Sequence, residues 1–107
     1  MLSFDDFQKV DIRTAKVISA EAHPNADRLL VLRIDVGELG ERQIVAGIRQ
    51  WYEPESLTGR TIVVVANLEP ATLRGEQSQG MLLAVHDEGG VRVLTPDGEA
   101  APGLRVS

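Results

Sequence analysis

Two histidines, a serine set between glutamines and nine arginines are the side chains of this 107-residue chain from which chemistry could be assembled. His23 sits in the run HPNADR, with Asn25 and Asp27 close behind, and His86 is the one other imidazole. A general base needs a group that orients it, and a metal site needs several ligands at set spacing. Neither pattern surrounds His23. Ser78 lies in GEQSQGM, without the GxSxG elbow that presents a nucleophilic serine. The chain has no cysteine, which removes disulfide frameworks and cysteine-based zinc sites. No acid, base or nucleophile pair stands out, so the expectation is a protein that binds, with no catalytic residue, metal or cofactor.

The arginines point to what it would bind. A guanidinium offers a planar fork to phosphate and can stack on a base. Arg74, before Gly75 in a polar stretch, is the best single phosphate or base contact. Arg13, Lys16, Arg33, Arg42 and Arg49 would add a second basic strip if the first strands present them on one side. Ser78, Gln79 and the backbone near Gly80 read as hydrogen-bonding groups. Gly80 lacks a β-carbon, so it either admits a ligand or another backbone or marks a bulge at a strand start. Pro24 biases His23 toward extended backbone, and Asn25 suits a left-handed turn position, so structural roles are favoured for His23, Asn25 and Asp27. Aromatic residues are few. The pair Trp51-Tyr52 reads as a plug at one end of the core, which favours recognition by shape and phosphates over base stacking.

The elements that must position these groups are mostly strands. Leu30, Leu32, Ile34 and Val36 alternate with Arg33 and Asp35, and Ile44, Ala46 and Ile48 repeat the pattern. Ile62, Val64 and Ala66 do so again, with Val63 and Val65 filling the opposite face, so this run is the best central strand. In the first run Val10 and Ile12 share one parity while Ala15 and Val17 share the other. A bulge or bend near Arg13 and Thr14 would reconcile them. Pro54, Glu55 and Gly59 bound one short helix, and Asp5 to Lys9 form at most another turn. Further strands are expected at Gly80 to His86 and Val91 to Leu94. Three strands, a short helix and two or three more strands match an all-β, five-stranded Greek-key barrel of the OB type with extra terminal strands. His23 to Asp27 then forms the loop between strands one and two, and Leu68 to Gln79 the loop between strands four and five. These loops flank the face on which such barrels bind oligonucleotides or oligosaccharides.

The length suits one domain over residues 1–107, large enough to bury roughly two-thirds of its unfolded surface. Eleven basic against sixteen acidic residues give a net charge of −5, which counts against duplex DNA or an anionic membrane held by bulk electrostatics. The N-terminal residues lack the pattern of a signal peptide and no apolar run is long enough to span a bilayer, so a cytoplasmic location is expected.

The segments FQKVDIRTAKV, HPNADRLLVLRIDVG, RQIVAGI, VVVANLEPATLRGEQSQGMLLA and LTPDGEAAPG together resemble the tRNA-binding domain family. That family includes stand-alone structure-specific tRNA-binding proteins and the C-terminal domain or beta subunit of methionyl-tRNA synthetase. The resemblance implies an OB barrel that binds the outer corner of tRNA by shape, a homodimer held through both ends of the domain, and possible association with a synthetase. It carries RNA contact over to Asn67, Arg74, Ser78, Gln79, Gly80 and Met81 in the second loop and to His23, Asn25 and Asp27 in the first. It also makes Arg13, Lys16, Arg42 and Arg49 backbone contacts. Relatives often have basic residues after the NLxP motif, where this chain has Glu69, Ala71 and Thr72, so Arg74 stands nearly alone. Export chaperones of the CsaA type share the fold and dimer but bind peptides, which is the alternative the resemblance leaves.

Overall fold

The computed structural model describes all residues from Met1 to Ser107. A five-residue helical turn, α1 (Phe4–Gln8), opens the chain; Ser3 Oγ caps it by accepting the Asp6 amide. The long strand β1 (Ile12–Ala22) follows, then β2 (Leu30–Asp35), a 3-10 turn at Gly37–Leu39, and β3 (Glu41–Ala46). Helix α2 (Pro54–Leu57) begins at Pro54, as expected, and Gly59 ends the segment with a φ of 88°, which a β-carbon would strain. Then come β4 (Thr61–Val65), β5 (Ala71–Leu73), β6 (Glu76–Ser78), β7 (Met81–Leu82), β8 (Ala84–Asp87) and β9 (Gly90–Val93).

The main antiparallel sheet runs in the order β3-β2-β1-β4-β7. Strand β1 joins its halves, pairing through Ile12–Lys16 with β4 and through Lys16–Ala22 with β2. The sheet curls until residues 77–79 lie along β3, where the Gln79 amide donates to the Gln43 carbonyl at 2.8 Å. The result is an all-β, nearly closed barrel of the OB type, with α2 between the third and fourth strands. Its interior holds one cluster in which Leu30, Leu32, Ile34, Ile44, Leu57 and Ile62 are fully buried. The alternation in β2, β3 and β4 places the strand residues inward and α2 supplies Leu57, each contributing about 1.5–3 kcal/mol through burial.

Two expectations about strands need correction. The bulge does not fall near Arg13 and Thr14, which pair regularly with Val64 and Val63; the register shifts between Val17 and Ser19. Val10 lies before β1 and is exposed, and Ile12 is half-buried, so no bulge there has to bring both parities inside; the C-terminal tail lies along the other edge of β1. Thr14 N donates to Leu104 O at 2.9 Å, and Val106 N to Ile12 O at 2.8 Å. The stretch Leu68 to Gln79 is not a plain loop either, since β5 and β6 form a hairpin within it. Its two-residue turn, Arg74-Gly75, has φ of 53° and 92°, both positive as a tight hairpin demands. The run from Gly80 to His86 divides at Leu83, whose amide bonds back to β4 while its carbonyl accepts from Leu94. No helix of the chain is long and apolar enough to cross a membrane.

Candidate functional site

The first loop and the β5–β6 hairpin touch, and His23 makes the contact. Its ring is buried, with 2% of its surface exposed. The Asn25 amide donates to Nδ1 at 2.9 Å, and Nε2 lies 3.0 Å from the Leu73 carbonyl. A nitrogen that accepts a hydrogen bond carries no proton, so the ring is the neutral tautomer whose Nε2–H donates to Leu73. Both nitrogens are therefore engaged inside the protein. Asn25 and Asp27 remain exposed on the loop surface.

Ser78, Gln79 and Gly80 fasten the hairpin to the barrel. Ser78 is buried; its hydroxyl accepts the Val45 amide and donates to the Gly80 carbonyl, each at 2.9 Å. Gln79 Oε1 accepts the Gln43 amide at 3.1 Å. Gly80 has a φ of 138°, and a β-carbon there would stand 3.0 Å from the Val65 carbonyl. The close approach inferred from its missing side chain is thus to another backbone. Met81 is 48% exposed and lies between two shallow hollows. Asn67 clips the end of β4 to the start of β1, its side chain accepting the Asp11 amide at 2.8 Å and donating to the Lys9 carbonyl at 2.6 Å.

The cations divide into groups. Arg74, at the hairpin tip, is exposed with no hydrogen-bond or ion-pair partner. Arg49 donates to the Ala26 carbonyl at 3.2 Å and so braces the first loop, while Arg42 donates to the Ala66 carbonyl. Both are half-buried and keep donors beyond the bonds they make. Arg13 is elsewhere. Its Nε donates to Asp11 at 2.7 Å and its Nη1 to the Gly103 carbonyl at 3.0 Å, so it docks the tail. The Asp11 hydrogen bond raises its pKa further above an already high value. Lys16 is exposed beside Gly59, Thr61 and Glu99, and Arg33 pairs with Glu41 at 3.3 Å on the surface. The strands therefore do not gather these residues into one strip.

Two residues gain roles that sequence reading missed. Arg28, on the first loop, is exposed without a side-chain partner, and its carbonyl accepts the Arg49 amide. It was visible only as a neighbour of Asp27. Gln43 donates to the Gln77 carbonyl at 2.9 Å and to Glu76 at 3.2 Å, holding β6 against the barrel. Its outward parity beside Ile44 was the available signal. Beyond the hairpin, an apolar groove of about 400 Å³ lies between Val45–Ile48 and Met81–Ala84, with His86 and Val91 at its edge. No group of acidic and histidine side chains is arranged to hold a metal.

Residues 12–105 match the family model described as "Putative tRNA binding domain". Methionine-tRNA ligase of Thermotoga maritima is 57% identical over 106 residues, covering 99% of this chain but 17% of the ligase. The chain thus spans a minor part of that relative. Among solved structures, the MetRS related protein from Pyrococcus horikoshii superposes with a TM-score of 0.92 at 34% identity, covering 100% of this chain and 98% of that one. Chaperone CsaA from Bacillus anthracis gives 0.90 at 38% identity, covering 100% and 99%.

Proposed function

Because the chain belongs to the tRNA-binding domain family, we propose that it is a non-catalytic module that binds tRNA. The observation that carries the reading is the joined surface of the first loop and the hairpin, where Arg28 and Arg74 stand exposed and without intramolecular partners. Unengaged guanidinium groups on a fixed framework suit phosphates of a folded RNA better than a stacked single strand. The contacts reach the outer corner of the tRNA without regard to base sequence. Arg74 and Arg28 supply the charge, Asn25, Gln79 and Met81 line the surface, and Arg42 and Arg49 add their remaining donors. His23, Asn67, Ser78 and Gly80 shape it from within. Arg13 and Lys16 lie outside this surface.

The module works as part of, or beside, a methionyl-tRNA synthetase in the cytoplasm, a reading supported by the ligase relatives. It acts as a homodimer held through its ends. Helix α1 buries none of its residues, and Phe4 and Leu104 are 69% and 50% exposed, which leaves apolar surface for a second copy. Gel-shift titration with bulk tRNA at low salt is the test. A complex that weakens as salt rises, with a slope of about 0.7–0.9 per phosphate neutralised, is expected. Absence of any shift refutes the reading.

The apolar groove beside Met81 favours a second reading, a peptide-binding chaperone. That activity would suppress aggregation of an unfolded client and be unaffected by competing tRNA.

A further inference from the structure

The hairpin β5–β6 is held unequally. Its inner strand β6 is fastened to β3 through Gln43 and Ser78. Its outer strand β5 is exposed at all three residues. Between Leu68 and Arg74, the His23–Leu73 bond is the only hydrogen bond to anything beyond the hairpin itself. That bond spans 50 residues of sequence and ends one residue before Arg74. The opposite side of the same ring accepts Asn25 N, and the His23 amide donates to the Leu29 carbonyl at 3.0 Å, closing the first loop. One imidazole therefore fixes the shape of the first loop and the place of the hairpin tip together.

We infer that His23 is a positioning residue for RNA binding: through Leu73 it holds Arg74 in a fixed relation to the first loop, so that both meet one tRNA. The inference rests on the tRNA reading above. A long arginine on an untethered strand would have to be ordered at the moment of binding, which weakens the complex, whereas the tether orders its backbone beforehand.

Two substitutions in the full chain separate the jobs of the ring. In His23→Asn the amide oxygen can stand near the Nδ1 position and keep the bond from residue 25, but the side chain is too short to reach Leu73. In His23→Gln the terminal amide can reach the Leu73 carbonyl while the local acceptor is lost. Hydrogen exchange of the hairpin amides, measured without RNA, reports the tether; a gel shift with bulk tRNA reports its consequence. His23→Asn should exchange faster across Leu73 to Ser78 and bind about 2- to 10-fold more weakly, the equivalent of one net hydrogen bond. His23→Gln should restore the protection of the hairpin, and the affinity to the extent that the first loop keeps its shape without the local acceptor. Nitrogen NMR of the wild-type imidazole should show the neutral Nε2–H form, and the Nδ1–H form would overturn the assignment even if a variant failed to fold. A wild-type shift that His23→Asn leaves unchanged, or that His23→Gln fails to restore with both the hairpin and the first-loop amides protected, refutes the positioning role alone. No shift with wild-type protein refutes the tRNA reading instead.

Discussion

Ser78 Oγ lies 2.9 Å from the Val45 amide nitrogen, so a side chain takes the place of a backbone partner where the barrel closes. The same hydroxyl donates to the half-buried Gly80 carbonyl, while the bond to Val45 is shielded from water. Ser78→Ala leaves the buried Val45 amide without a partner at the seam, at a cost of about 1–3 kcal/mol. For a domain of this size the melting temperature should fall by roughly 4 °C or more. An unchanged thermal melt would show that the seam does not depend on this hydroxyl.

On the proposed reading Arg74 serves binding and not folding, because no side chain or carbonyl in the protein receives its guanidinium. Arg74→Ala should leave the melting temperature within about 2 °C, as expected for a surface change of under about 0.5 kcal/mol. The tRNA affinity should fall evenly across tRNA species, and the salt slope by about 0.7–0.9, the value for one phosphate contact. A loss confined to one tRNA would indicate base recognition at this position.

The barrel's alternation was legible in the chain because Leu30, Leu32, Ile34 and Val36 face one environment, the core. Pro54 and Gly59 likewise announced α2 through backbone constraints local to them. What escaped was decided by distant partners. Thr14 is buried because Ala101 and Leu104 bond its hydroxyl from almost ninety residues away, and no periodicity within β1 reports that. Hairpin strand β5 is exposed throughout, so it shows no alternation, and Arg74 is the one residue other than glycine with positive φ. The loops of the candidate site were found from their motifs. Their junction was not, because His23 meets a backbone carbonyl, a partner that every residue offers.

The hairpin β8–β9 carries the clearest pH response. Arg92 donates to Asp87 at 2.6 Å and the Gly89 amide donates to the same carboxylate at 2.8 Å. The Arg92 bond is the larger cause holding the Asp87 pKa below its ordinary 3.8. A carboxylate whose pKa is lower folded than unfolded stabilises the fold above the unfolded value, and that contribution is lost as pH falls through the folded one. Asp87→Asn should therefore lower the melting temperature slightly at pH 7. The difference should narrow as pH drops below the ordinary value and shrink in high salt, because the pair is exposed. A gap that stays constant down to the acid end would assign the effect to shape and not to charge.

Thr14 ties the tail to β1 twice through one hydroxyl, donating to the Ala101 carbonyl at 2.8 Å and accepting the Leu104 amide at 2.9 Å. Thr14→Val keeps the shape and removes both bonds, with an expected cost of about 1–3 kcal/mol because the site is buried. Beyond stability, the two ends of the chain meet here. The Arg105 guanidinium donates to the Gln8 carbonyl at 2.8 Å, next to the exposed Phe4 and Phe7 of α1. Loosening the tail should therefore disturb the apolar surface proposed to hold the dimer, while the first loop and Arg74 keep their places. Light scattering on Thr14→Val should show dissociation at concentrations where wild-type protein is dimeric, with hydrogen exchange in the β5–β6 hairpin unchanged. A variant that stays dimeric with a demonstrably released tail would separate the dimer from the C-terminal segment and leave α1 as its support.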